Sequence, residues 1–169
     1  MARGPAVLTA LAILMAVLLS GCRPVPAEGR APDFRLPDLA GNQVSLRRLL
    51  QDGPVLVNFW ASWCPPCVRK LPELEQLHQE FTGRRFTILG ISLDANPDDA
   101  RAFLARQPVS FPIVFDAGGT VAGAFEVRGI PTSVLIGRDG AILLRTVGHS
   151  ETDLIRLRRA IREALEAGG

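Results

Sequence analysis

The sequence contains no internal repeat and no low-complexity run, so the chain is not an array and needs an ordinary core. Basic residues are nearly all Arg and are scattered, with no basic block interleaved with aromatics. With a formal net charge of only +2, the composition does not point to nucleic acid. Histidine is scarce, at two residues, His78 and His149, which leaves little for a nitrogen-rich metal site. Cysteine is scarce too, at three, an odd number that is awkward for an exported protein stapled by disulfides. What remains is 169 residues, enough for one domain with a core of its own.

The N-terminus does not belong to that domain. Arg3 supplies a positive start, and residues 6–19 are apolar apart from Thr9, about fourteen positions, too short for a comfortable span and suited to a signal segment. The run ends in Leu19-Ser20-Gly21-Cys22, which looks like a bacterial lipoprotein signal cut before a Cys22 that would carry lipid. An ordinary secretory signal, or an uncleaved anchor with Cys22 incidental, is the alternative. All three put the domain outside the cytoplasm, where disulfides persist. Residues 23–31 are rich in Pro, Gly and Ala and read as a tether, reaching roughly 25–30 Å if extended like polyproline. The expected division is a signal over 1–21, lipidated cysteine and tether over 22–31, and a folded domain over 32–169.

Within the domain, residues 33–36 and 43–46 around a turn at Ala40-Gly41-Asn42 predict a β-hairpin, with Ser45 placed to cap a short helix through Leu50. Residues 55–60 are a continuous β-branched and aromatic run, the pattern of a buried strand. A helix to about Phe81 follows, with Leu71, Leu74, Leu77 and Phe81 on its buried face and Pro72 expected to kink it. Residues 86–93 predict another buried strand, and Asn96-Pro97-Asp98-Asp99 a capped helix start with acids in the first turn. Residues 111–116 read as extended, and a short helix is expected over 121–125. Two antiparallel strands over 132–136 and 141–147 turn at Arg138-Asp139-Gly140, and a last helix opened by Ser150 buries Leu154, Leu157, Ile161 and Leu165. The order gives an α/β fold: a mixed sheet flanked by helices on both faces.

The chemistry sits at the end of the first buried strand, in Phe59-Trp60-Ala61-Ser62-Trp63-Cys64-Pro65-Pro66-Cys67. Strand, Cys-x-x-Cys and then helix places a dithiol at a helix N-terminus, where the helix dipole stabilises a thiolate. Together with Gly129-Ile130-Pro131-Thr132, this stretch resembles the thioredoxin-fold thiol–disulfide oxidoreductases, in particular their membrane-tethered TlpA/ResA-like branch, over roughly residue 31 to the C-terminus. The resemblance implies a thioredoxin-like sheet with an N-terminal hairpin and a central βα insertion over residues 86–116. It implies no cofactor beyond a redox-active Cys64–Cys67 disulfide. With Cys22 given to lipid, no cysteine is left over for a structural bridge. It further implies that the chain is a monomer which takes electrons from a membrane thiol–disulfide carrier and reduces disulfides in exported proteins, apocytochrome c among the family's known substrates.

Cys64, at the expected N-cap, is the exposed nucleophile on this reading, and Cys67 the buried resolving thiol. If Pro65 and Pro66 are the first two helical residues, the second has no N–H to offer a Cys64 thiolate, leaving Cys67 N–H and Val68 N–H. A thiolate with fewer donors is less stabilised, which lowers the reduction potential and predicts a reductant. A static disulfide across a two-residue loop would be a poor staple, and zinc would need two ligands beyond the cysteines.

By the resemblance, Pro131 is cis and lies against the dithiol, with Ile130 free to pair with a substrate strand; otherwise it is a plain strand-start proline. Trp63 is expected to line the substrate surface and Trp60 to pack in the core. Two positions depart from relatives. Asn58 stands where thioredoxins proper carry a buried acid, and Lys70 where many TlpA/ResA-like proteins carry Glu. Lys70 shares a helix side with Cys67 and either favours a thiolate or snorkels at the surface, the latter being the expectation. Glu73, Glu75 and His78 read as solvated helix positions, and His149 as a loop residue.

Two further readings compete. Ala31-Pro32-Asp33-Phe34 resembles the opening of peroxiredoxins, but a peroxidatic Thr-x-x-Cys is replaced by Ala61-Ser62-Trp63-Cys64. A copper chaperone of related fold would use Cys64, Cys67 and His149, with a wider cysteine spacing than is found here.

Overall fold

The computed structural model describes residues 29–167. The expected signal segment, Cys22 and most of the tether lie outside the described residues. The elements are β1 (Arg35–Pro37), β2 (Gln43–Ser45), α1 (Leu46–Asp52), β3 (Val55–Trp60), α2 (Pro65–Glu80), β4 (Thr87–Ser92), α3 (Pro97–Arg106), β5 (Ile113–Phe115), α4 (Thr120–Ala124), β6 (Thr132–Ile136), β7 (Ile142–Val147) and α5 (Glu151–Ala167). Every predicted element is present, to within about two residues at each end.

The main sheet has the order β5-β4-β3-β6-β7. β3, at its centre, pairs in parallel with β4 and antiparallel with β6, and all six of its residues are buried. The parallel pairings β3–β4 and β4–β5 bracket α3, and the antiparallel β6–β7 hairpin turns at Gly140, whose φ of +85° suits glycine. β1 and β2 form a separate hairpin, tied to the main sheet by a bridge between Asp38 and Val114. Residues 29–31 are docked rather than free: Ala31 N–H donates to Gly140 O (2.9 Å) and Ile142 N–H to Gly29 O (2.9 Å), beside the start of β7. Residues 29–31, expected in the tether, thus pair with the folded domain.

Alternation along the strands divides the core into two layers. Val55, Val57, Phe59, Leu89, Ile91, Val134 and Ile136 pack under the hairpin, α1 and α4, with Phe34 and Phe125. Leu56, Trp60, Ile88 and Leu135 face α2, α3 and α5, where Leu71, Leu74, Leu77, Phe103, Leu157 and Ile161 meet them. Trp60 is fully buried, as expected, with its ring 5.6 Å from that of Phe103. Gly90, paired with Asn58 in the neighbouring strand, makes room here: a Cβ would collide with Ile113 and crowd the Trp60 indole.

Two local expectations are refined. Ser45 occupies the N-cap of α1 but its side chain makes no capping bond. Pro72 lies inside α2, which nevertheless runs on to Glu80. Pro72 has no N–H for the Val68 carbonyl, four residues back, and the Gln107 side-chain amide donates to that carbonyl instead (3.2 Å). The cap of α3 therefore repairs the ladder of α2.

Candidate active site

β3 ends at Trp60, and Ala61 to Trp63 carry the chain to Cys64, the N-cap of α2, with Pro65 and Pro66 in its first turn. Cys64 and Cys67 are joined in a disulfide, their Cα atoms 5.3 Å apart. Cys67 N–H donates to Cys64 Sγ (3.3 Å). The Val68 N–H, counted as a second donor from the sequence, is committed to the Cys64 carbonyl (3.1 Å). Cys67 N–H is thus the one backbone donor to Cys64 Sγ among the described residues. Cys64 is more covered than expected: it is 4% exposed and Cys67 fully buried. What stands out beside it is Trp63, 67% exposed.

The loop after α4 closes over the dithiol. The Ile130–Pro131 peptide is cis, and the Ile130 carbonyl oxygen lies 3.7 Å from Cys64 Sγ, a contact that only a protonated thiol turns into a hydrogen bond. Pro131 is buried and Ile130 half-buried. The Pro131 carbonyl accepts from Gly148 N–H (2.7 Å), which extends the β6–β7 ladder by one step.

Behind the disulfide the sheet turns polar. Asn58 is fully buried on the layer of Leu56 and Trp60, and its Oδ1 accepts from Ser133 Oγ (2.9 Å). Its Nδ2 and the neighbouring Thr146 Oγ1 have no partner in the structure. Asn58, Ser133 and Thr146 form a row across β3, β6 and β7.

Lys70 does not snorkel. It is 2% exposed, in the buried stripe of α2 with Cys67, Leu71, Leu74 and Leu77. Its Nζ donates to Gly148 O (3.1 Å). Burial lowers its pKa from 10.5 to about 8, against the pull of Asp153 and Glu73. Lys70 is buried because residues 67, 70, 71, 74 and 77 follow one helical stripe. Glu73 and Glu75 are likewise engaged: Glu73 Oε1 lies 3.0 Å from His149 Nε2, and Glu75 accepts from Ser110 N–H (2.7 Å) and Ser110 Oγ (2.6 Å). His78 is half-buried, edge-on to Phe111.

One group escaped the sequence reading. Asp94 is buried just past the end of β4 and accepts from Ser62 Oγ (2.6 Å), Ser62 N–H (3.1 Å) and Ser92 Oγ (2.8 Å). It pins the turn that presents Trp63 and Cys64. The available signal was its position: an acid directly after an apolar strand, at the sheet end where such folds place their sites.

Among the described residues no group of three or more His, Cys, Asp and Glu side chains is placed to hold a metal, and His149 contacts Glu73.

Known proteins agree with this geometry. A family model described as the AhpC/TSA family matches residues 27–145. The thiol-disulfide oxidoreductase ResA of Halalkalibacterium halodurans is 37% identical over 123 residues, 72% of this chain and 69% of the relative. The ResA of Bacillus subtilis is 29% identical over 125 residues, 74% and 69% of the two chains. Among solved structures, a Chlorobium tepidum protein assigned as the thiol:disulfide interchange protein DsbE superposes with a TM-score of 0.78 at 37% identity, covering 83% of this chain and 99% of that one. The helix-tip disulfide, the sheet behind it and these relatives together make the chain a member of the AhpC/TSA family and a thioredoxin-fold thiol–disulfide oxidoreductase of the ResA/DsbE-like kind.

Proposed function

We propose that the protein is a lipid-anchored, extracytoplasmic reductant of disulfides in exported proteins. Cys22 carries the anchor, and residues 23–28 link it to the docked domain. The Cys64 thiolate attacks a substrate disulfide, forming a mixed disulfide and releasing one substrate thiol. Cys67 then gives up its proton, attacks Cys64 Sγ and releases the second thiol. Two electrons leave the dithiol, and a membrane thiol–disulfide carrier restores them. Apocytochrome c haem-site cysteines are one candidate substrate.

The observation that carries this reading is the sparse solvation of Cys64 Sγ: Cys67 N–H is its one described backbone donor, because Pro65 and Pro66 offer none and Val68 N–H is taken. A poorly solvated thiolate favours the disulfide form, hence a donor of electrons. Asn58, which adds no carboxylate charge behind the pair, and Lys70, a buried cation on the dithiol helix, complete the set of redox-tuning groups. Trp63, Ile130 and Pro131 form the substrate-facing surface around the narrow opening at Cys64, with Ile130 offering backbone to an extended segment of the substrate.

Trapping tests the reading. Cys67→Ser in the full chain should accumulate mixed disulfides through Cys64 with exported proteins, and Cys64→Ser should trap none. An empty trap in Cys67→Ser would contradict exchange with proteins. Peroxide consumption that survives Cys67→Ser would move the chain to the peroxidase side of its family.

A further inference from the structure

The contacts around Pro131 close a circuit that returns to the dithiol helix. From Cys64 Sγ the path runs to the Ile130 carbonyl (3.7 Å), along the chain to the Pro131 carbonyl, and across to Gly148 N–H (2.7 Å). The Gly148 carbonyl then accepts from Lys70 Nζ (3.1 Å), and Lys70 stands on α2, one turn beyond Cys67. Gly148 is thus gripped on both sides: its N–H by the substrate loop, its carbonyl by the dithiol helix.

Among the described residues, the Gly148 carbonyl is the one hydrogen-bond partner of this buried ammonium. Asp153 and Glu73 lie near enough to act on its charge, yet neither forms an ion pair with it. Asp153 accepts from Ser150 Oγ (2.6 Å) and Arg156 Nη1 (3.4 Å), and Glu73 faces His149. The Gly148 carbonyl is the contact Lys70 makes. Gly148 itself sits at a φ of +89°, directly after β7, where the sheet ladder no longer holds the chain.

We propose that Lys70 is a positioning residue for substrate docking: it clamps Gly148, and through it the Ile130–Pro131 loop, in register with Cys64. This rests on the reading of Cys64 and Ile130 as the substrate-facing pair, and it assigns Lys70 an effect on docking beyond any charge effect on the thiols. Lys70 thereby becomes a cross-brace between helix and loop.

Lys70→Met, which keeps length and removes the donor, separates the two effects. The clamp predicts about tenfold faster hydrogen exchange at the Gly148 amide in the oxidised protein, the scale of losing one charge-assisted hydrogen bond. It also predicts a KM for insulin disulfides raised by a larger factor than kcat falls, whatever shift the lost charge makes in the pH midpoint for alkylation of Cys64. Lys70→Arg should restore both exchange and KM. If Lys70→Met folds poorly, Lys70→Gln, a neutral donor, should keep exchange closer to the parent than a charge effect would allow. An altered alkylation midpoint with exchange and KM unchanged would overturn the clamp in favour of electrostatic tuning. No change in any readout would overturn it outright. A parent protein inactive on insulin but protected at Gly148 would instead count against the proposed function.

Discussion

The two layers of the core use the same strands and are put together differently. Under the hairpin, α1 and α4, the inward positions of β3, β4 and β6 hold only aliphatic and aromatic side chains, apart from Thr87 and Thr132, the first residues of β4 and β6. On the other side, Asn58, Ser92, Ser133 and Thr146 alternate with Leu56, Trp60, Ile88 and Leu135, and Lys70 and the disulfide come down on them from α2. Because side chains alternate at every residue, one sheet separates a stability face from a reactive face without any change of backbone. Burying polar groups has a cost. It is concentrated where the dithiol needs fixed neighbours, and the opposite layer, with fewer buried polar groups, contributes mainly apolar burial.

If that division of labour is real, the layers should respond differently to substitution. Phe59→Ala, in the apolar layer, should cost about 3–5 kcal/mol in denaturant unfolding and leave the alkylation rate of Cys64 in the folded protein unchanged. A changed alkylation rate would mean the layers are coupled.

Lys70 gives the reactive layer a pH signature. In the oxidised protein the thiols do not titrate, and Lys70 falls from its ordinary 10.5 to about 8 on folding. Between those values the unfolded chain holds a proton that the folded protein has shed, so raising the pH through this window favours folding. The burial penalty is full below pH 8 and fades towards pH 10.5, by roughly 3–3.5 kcal/mol at 1.36 kcal/mol per pKa unit. Lys70→Met should flatten the profile, measured as unfolding free energy against pH. A profile that falls or stays flat in the parent would show that Lys70 is not held as a buried cation.

Asp94→Asn should be the mildest of the three. It turns an acceptor towards the Ser62 and Ser92 donors into a donor, at a cost of about 1–3 kcal/mol. Unlike Phe59→Ala it should also alter the alkylation rate of Cys64, because Ser62 lies two residues before it. Stability lost with reactivity unchanged would make Asp94 a purely structural anchor.

Most of this architecture was legible in the residues. Continuous apolar runs gave β3 and β4, the 3.6 pattern gave α2, the Asn96-Pro97 signal gave α3, and the Cys-Pro-Pro-Cys stretch located the redox centre. What escaped shares one cause: it depends on contacts far apart in sequence. Asp94 meets Ser62 across 32 residues, and Lys70 meets Gly148 across 78. The stripe that holds Lys70 was visible, but a lysine on a helix face is ordinarily at the surface, and only the docking of Gly148 supplies the acceptor that keeps it in. The covering of Cys64 likewise comes from a loop 66 residues away, at Ile130. Residues 29–31 looked like linker because their partners, Gly140 and Ile142, lie at the other end of the domain.

The most direct test of the central claim is a redox titration of the purified protein in defined dithiothreitol buffers, with alkylation and mass measurement at each point. The account predicts a reversible two-electron transition of Cys64 and Cys67, with Cys64 alkylated first. Its midpoint should lie well below the roughly −120 mV of a strong periplasmic oxidant. A pair that dithiothreitol does not reduce, or a midpoint near that oxidising value, would contradict it.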